Sequence, residues 1–341
     1  MKTNLVEGKI DTGKTKGYMF NKVNDIISKE ESFLVVDIKS EYYENYYKLL
    51  KEKNYNIKVL NLNETNKSNN YNPFSLAYKY KEESEMEKAI KVLKNITDTM
   101  FSSTNLDKFW DESASSLVMG ICLMLLKETT YSQFNIGTIN NTLDLITKGY
   151  KDSDLIKMYM EKLDINDPIY INLSSILLAP IETKFSIVSV AKTKIKNFCL
   201  SKSMLDLVSS NEIKLDNKTA IFIMDKNRND LTNILINQIY YEIKNEKFNF
   251  ILDNIDFVNK IDCLNEMLEL PKENIETYVI TRNLDKLEKI YGSIFDDVIN
   301  KVINPNVSVQ ISKQNKVTYP VTKEDRDYLM VEEHLINLLD K

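Results

Sequence analysis

Gly8-Lys9-Ile10-Asp11-Thr12-Gly13-Lys14-Thr15 reads G-x-x-x-x-G-K-T, the pattern of a loop whose backbone N–H groups cradle a phosphate chain. The flanking sequence supplies the context this pattern needs. Asn4-Leu5-Val6 is a short apolar strand, and residues 16–27 read as a helix. A loop in that place presents its donors at the positive end of the helix dipole. Gly8, Asp11, Thr12, Gly13 and Lys16 are then expected to line the phosphates. Lys14 sets a point charge on the outer phosphates, and Thr15 holds Mg2+. Asp11 is irregular. A carboxylate at about 4 Å from a phosphate repels it by up to about 4 kcal/mol at an effective dielectric near 20. Lys9, Mg2+ and solvent reduce that, so the loop speaks more strongly for a fold than for a bound nucleotide.

Working outward, Ser32-Phe33-Leu34-Val35-Val36-Asp37 is a continuous apolar run ending in an acid, as in a central parallel strand. Residues 41–53 form an amphipathic helix, and residues 56–62 a third strand. Residues 4–62 therefore read β-α-β-α-β, an α/β domain with a parallel sheet. Strand signals nearly vanish over residues 82–202, where helices are expected at 85–100, 109–127, 139–147, 154–163 and 184–197, punctuated by Pro168 and Pro180. The α/β character returns with strands at 219–224, 248–252 and 277–280, an edge strand at 307–311 and a last helix at 323–341. The expected organisation is one α/β core from residues 1–81 and 203–341, interrupted by an all-helical insertion at 82–202.

Composition narrows the function. The chain has 341 residues, 43% hydrophobic and 28% charged, with net charge −5, ordinary for a globular protein. Nucleic-acid contact would need a local lysine stripe rather than bulk charge. Cys122, Cys199 and Cys263 form no C-x-x-C pair, which suggests neither a zinc nor a redox site and fits single thiols in a reducing cytoplasm. His334, expected on the surface of the last helix, is the single histidine, so a multi-His metal site or a His-based triad is close to excluded. No signal peptide is visible. The most apolar run, residues 117–126, is too short to span a bilayer and fits a buried helix.

Several short segments, in order, carry a family resemblance. Lys14-Thr15-Lys16-Gly17 continues the loop. It is followed by Val35-Val36-Asp37-Ile38-Lys39-Ser40-Glu41, by Val59-Leu60-Asn61-Leu62 and by Tyr71-Asn72-Pro73-Phe74. Phe109-Trp110-Asp111, Lys184-Phe185-Ser186-Ile187 and Lys218-Thr219-Ala220-Ile221-Phe222 come next. Leu252-Asp253-Asn254-Ile255-Asp256-Phe257 and Asn283-Leu284-Asp285-Lys286-Leu287 complete the set. Together they resemble the type IV secretion coupling proteins of the TraG/TraD class, conjugative DNA-translocating ATPases. The resemblance implies a RecA-like P-loop NTPase core with a mainly parallel sheet and an inserted all-helical subdomain. It also implies ATP and Mg2+ as cofactors, with Lys14 and Asp253 catalytic and Thr15 and Asp253 on the metal. The implied partners are single-stranded DNA or a relaxase–DNA complex and the components of a secretion channel. A homo-hexamer or mixed ring is implied, in the cytoplasm or at the inner face of the plasma membrane. The family's amino-terminal membrane segments are expected to be missing.

The departures from the family pattern matter as much. Asn254 stands in place of the family's catalytic glutamate. An amide cannot take a proton from water, and a lost general base costs about 10²–10⁴ in rate. Arg282 and Lys286 replace glutamines, and Ser40 replaces a glycine. Asp37, Glu41 and Asp256 are candidates for the missing base; for Asp37 and Glu41 a turn and a helix N-terminal charge are the simpler reading. Arg282 either reads a phosphate or pairs with Asp253 or Asp37 and fills the site. Phe109 and Trp110 are expected in the core rather than as a base-stacking platform. Two functions are left: a divergent ATPase of conjugative DNA transfer, or a catalytically silent pseudo-ATPase serving as an interaction subunit beside a complete paralogue.

Overall fold

The structure is a computed structural model describing residues 3–8, 14–102, 108–148, 159–227, 230–255, 260–295, 300–303, 309–311 and 315–317. The expectations for Asp11, Thr12, Gly13, Asp256, His334 and the 323–341 helix fall outside these residues. The chain divides into two compact units, Met1–Asn63 with Leu215–Lys341, and Glu64–Lys214.

The first unit is built on seven parallel strands: β1 (Thr3–Glu7), β2 (Ser32–Val36), β3 (Asn56–Asn61), β4 (Thr219–Met224), β5 (Phe248–Asp253), β6 (Ile275–Thr281) and β7 (Asn300–Ile303), in the order β3-β4-β2-β5-β6-β1-β7. None of the first three strands is hydrogen-bonded to another of the three. β4 enters between β2 and β3, while β5 and β6 enter between β2 and β1. β2, β4 and β5 are buried along their whole length, which explains their unbroken apolar sequence: both faces of a parallel sheet are covered. Phe33, Val35, Phe222 and Ile251 meet α1 (Phe20–Ser28) and α2 (Glu41–Glu52) on one face. On the other, Phe250 packs its ring against Tyr240 of α10 (Asp230–Glu242). Each such side chain contributes about 1.5–3 kcal/mol by leaving water.

The edge strand differs from expectation. β7 at Asn300–Ile303 extends the sheet beside β1, whereas β8 (Val309–Ile311) pairs antiparallel with β9 (Asn315–Val317) in a separate hairpin. Polar Asn300 and Lys301 hide the strand in a sequence reading based on apolar runs. α11 (Leu264–Glu269) and α12 (Leu284–Tyr291) follow β5 and β6.

The second unit is built of helices, with no strand among its described residues: α3 (Ser75–Glu82), α4 (Met86–Met100), α5 (Phe109–Glu128), α6 (Ile136–Lys148), α7 (Pro168–Leu177), α8 (Ile181–Lys196) and α9 (Lys202–Leu207), with a short 3₁₀ turn at Thr65–Lys67. α5 is its axis and buries Ala114, Leu117, Val118, Ile121, Cys122 and Leu125. By length and composition it could cross a bilayer, with mean hydropathy 1.3, yet 61% of that window is buried inside the protein. That marks a core helix. Gly120 lets α7 approach: a Cβ there would lie 2.5 Å from Leu173 Cδ2.

Candidate functional site

Parallel strands deliver their carboxyl ends to one edge, and the register brings three of them level. Glu7 pairs with Thr281, and Asp253 with Ile280. Gly8 N–H closes the row on Thr281 O at 3.2 Å. Lys14 begins a π-turn, Lys14–Met19, that runs into α1. A π-turn widens the helix by one residue and is frequent at functional sites. Lys14 is buried, and its ammonium donates to the carbonyl of Gly8. Thr15 and Asp253, far apart in sequence, meet directly: Thr15 Oγ1 donates to Asp253 Oδ2 at 3.0 Å.

Asp253 has three donors from its own chain. Tyr42 OH reaches the same Oδ2 at 2.8 Å, and Asn254 Nδ2 reaches Oδ1 at 2.9 Å. Burial pushes the Asp253 carboxyl up, while the Tyr42 and Thr15 hydroxyls and the Lys14 ammonium pull it back toward the ionised form. Tyr42 is pushed well above the ordinary phenol range by burial and by the neighbouring Asp253 charge. Arg282, one residue past β6, donates from Nε to Asn254 Oδ1 at 2.9 Å. The Asn254 amide is thus oriented at both ends, nitrogen toward the carboxylate and oxygen toward the guanidinium. Its backbone is left-handed, φ 54°, a conformation asparagine tolerates better than most residues.

The donor set fits Mg2+. A threonine hydroxyl and one carboxylate are hard oxygen ligands, and this ion keeps its remaining positions for water and phosphate oxygens. Among the described residues no cluster of three or more His, Cys, Asp or Glu forms a self-contained metal cage. Thr15 and Asp253 would hold the ion, which would neutralise charge on a phosphate chain placed between Lys14 and the α1 N-terminus.

The remaining sequence expectations sort by geometry. Asp37 lies at the end of β2, but its Oδ2 accepts Tyr43 N–H at 2.8 Å, so it caps α2. Burial raises its carboxyl to about 6 against the N–H donors of Tyr43 and Tyr42. Lys16 is exposed on the π-turn. Phe109 and Trp110 overturn the core expectation: they are 53% and 39% exposed and stack edge to face at 5.1 Å. They occupy the first turn of α5, ahead of the residues that enter the core. Sequence reading missed Tyr42, the buried donor to Asp253. Its position in the first turn of α2, five residues beyond Asp37, was the one available signal.

A parallel sheet with the phosphate-loop strand β1 separated from the acid-bearing β5 by β6, and Lys14-Thr15 facing Asp253, is a RecA-like P-loop α/β core. The chain belongs to the family described as "Type IV secretory system Conjugative DNA transfer", whose model matches residues 8–315. No match is found among curated protein sequences. Among solved structures, the plasmid coupling protein TrwB in complex with the ATP analogue ADPNP is similar at TM-score 0.63 and 11% identity, covering 93% of this chain and 77% of that one. TrwB with the GTP analogue GDPNP gives TM-score 0.60 at the same identity and coverage. VirB4 of Thermoanaerobacter pseudethanolicus gives TM-score 0.60 at 8% identity, covering 95% of this chain and 91% of that chain.

Proposed function

We propose that this chain is a Mg–ATP-binding subunit of a conjugative DNA-transfer apparatus. Lys14 would hold the β- and γ-phosphates, and Thr15 and Asp253 the Mg2+; Gly8, Asp11, Thr12, Gly13 and Lys16 would complete the loop, and Arg282 would lie beside the outer phosphate. The observation that carries this reading is the 3.0 Å bond between Thr15 Oγ1 and Asp253 Oδ2. It unites the two protein ligands that such an ion needs, from residues 238 positions apart in the chain. Nucleotide analogues bound to TrwB support the same reading. Family membership supports single-stranded DNA or a relaxase–DNA complex as the cargo. It supports in the same way secretion-channel components as partners, a homo-hexamer or mixed ring as the assembly, and the inner face of the membrane as the place of work.

A second reading has its own observation. The Asn254 amide, held between Asp253 and Arg282, stands where a general base is needed and has no basicity to offer. The subunit would then bind nucleotide and leave hydrolysis to a partner in a mixed ring. Calorimetry with Mg–ATP on the full chain and on Lys14→Ala tests binding, and phosphate release with and without single-stranded DNA tests turnover. Tight binding with turnover that Lys14→Ala abolishes supports the first reading. Binding without turnover supports the second. No heat of binding overturns both.

A further inference from the structure

α7 carries no charge on any side, and residues 168–181 hold no Asp, Glu, Lys or Arg. Ile169, Leu173 and Ile176 are buried, and Leu173 packs on Gly120 of α5. The opposite side is open. Ile171 is 59% exposed and Leu178, just past the last turn, is 75% exposed. With the exposed Ser175 between them they lie on one side of the helix. A helix that is apolar all round is ordinarily enclosed by protein or by lipid. Here α5 covers one side, and no described residue buries Ile171 or Leu178 on the other. The chain then turns: α8 departs from α7 at 118°, past the exposed Pro180. Ile181 and Phe185, one turn apart at the start of α8, are 40% and 39% exposed. The open apolar residues thus gather at a convex corner.

The charge around this corner is positive, on a protein of net charge −5. Residues 168–205 contain five lysines, Lys184, Lys192, Lys194, Lys196 and Lys202, against a single acid, Glu182. Lys192 pairs with Asp144, and Lys194 lies 3.9 Å from Asp111. Lys184, Lys196 and Lys202 carry no ion pair among the described residues. Ile181, Phe185, Ser189, Lys192 and Lys196 recur at intervals of three and four residues, which keeps them on one side of α8. A flat surface laid along that side meets the apolar corner first and the lysine end next.

We propose that the α7–α8 corner is a membrane-docking surface, with Leu178, Ile181 and Phe185 entering the acyl boundary of an anionic bilayer and Lys184 and Lys196 meeting its headgroups. An apolar face flanked by lysines is the chemistry of an interfacial helix. Nucleic acid would satisfy the lysines but gives no account of Ile171, Leu178 and Ile181, which offer it neither charge nor a ring. A partner helix docks in a groove, and the corner is convex. The proposal rests on the reading that places the chain's work at the inner face of the membrane. It does not use the phosphate loop, so the two can fail separately.

Flotation of the full chain with vesicles, without ATP, Mg2+ or DNA, tests this. Vesicles of phosphatidylcholine and phosphatidylglycerol in equal parts should carry the protein upward. Leu178→Gln should weaken binding about tenfold or more, the worth of one buried leucine, and should do so at low and high salt alike. Its exposed position spares the fold, which unchanged thermal unfolding checks. Lys184→Gln should weaken binding about fivefold and Glu182→Gln should tighten it about fivefold, the worth of one charge at an anionic surface. Both charge effects should fade at high salt. Lys14→Ala should float as the unmodified protein does, even if it no longer binds Mg–ATP. Failure of the unmodified protein to float, or unchanged flotation of Leu178→Gln, overturns the proposal and leaves the nucleotide reading standing. Oligothymidylate binding that Leu178→Gln weakens as much as vesicle binding overturns it in favour of nucleic acid. Self-association without vesicles, lost in Leu178→Gln, overturns it in favour of an interface between copies.

Discussion

Tyr42 donates its phenol to Asp253 Oδ2 at 2.8 Å in a fully buried setting, across more than two hundred residues of chain. The ring is held independently by an edge-to-face contact with Phe20 at 5.4 Å. Tyr42→Phe therefore removes the donor and keeps the packing. A hydrogen bond to a charged group contributes about 1.5–3 kcal/mol, so urea unfolding at neutral pH should show a loss of about that size. Without this donor the Asp253 carboxyl should rise further, and Mg–ATP affinity measured by calorimetry should gain a steeper dependence on pH.

Asn254→Glu places a carboxylate beside both Asp253 and Arg282. If the rest of the phosphate site is competent, turnover measured by phosphate release should rise by about 10²–10⁴, the usual worth of a general base. The left-handed backbone at this position, φ 54°, disfavours glutamate by about 1–2 kcal/mol. A small fall in stability should therefore accompany any gain in rate.

Asp37→Asn should change the pH profile of stability. Burial holds the folded carboxyl at about 6, above its ordinary 3.8. The native state therefore keeps this proton longer than the unfolded chain. Its contribution to stability is fully present below about pH 4 and is lost as pH rises to about 6. At 1.36 kcal/mol per pH unit, that loss is about 3 kcal/mol. The asparagine retains an acceptor for Tyr43 N–H. The stability difference, unmodified protein minus variant, should fall by about that amount between pH 4 and pH 6 in parallel urea titrations and then stay level.

Gly120→Ala tests the packing of α5 on α7. The added methyl would meet Leu173 Cδ2 and Cγ at 2.5 Å and Asn172 Cβ at 3.2 Å. Overpacking costs about 1–3 kcal/mol, against about 1 kcal/mol gained in helix propensity. A net loss of up to about 2 kcal/mol is expected by thermal or urea unfolding, with Mg–ATP binding unchanged.

Much of this architecture is legible in the residues. β2, β4 and β5 read as central strands because burial on both faces demands unbroken apolar sequence, and each run is followed or ended by an acid, Asp37, Asp225 or Asp253. The meeting of Thr15 with Asp253 follows from β1 and β5 sharing one sheet. Other features depend on tertiary context. α7 was hidden because Pro168 reads as a break, whereas Asp167 caps the helix through Ile169 N–H at 2.8 Å and the proline occupies its first turn. Asn72 looks like part of a functional motif. It is a buried bracket, accepting Phe74 N–H at 3.1 Å and donating to Phe134 O at 2.8 Å. Nothing in the local pattern says that Arg282 contacts an amide, because that depends on β5 and β6 lying side by side.

The interleaved strand order also governs how the protein comes into being. β1, β2 and β3 find their hydrogen-bonding neighbours only in strands that begin at Thr219 or later. During synthesis the strands within residues 3–61 have no sheet to join until the ribosome has passed the helical unit and released β4, β5 and β6. Lys14 and Thr15 emerge early but acquire their partner acid only with Asp253. A prematurely terminated chain therefore exposes unpaired strands and lacks the bond between Thr15 and Asp253.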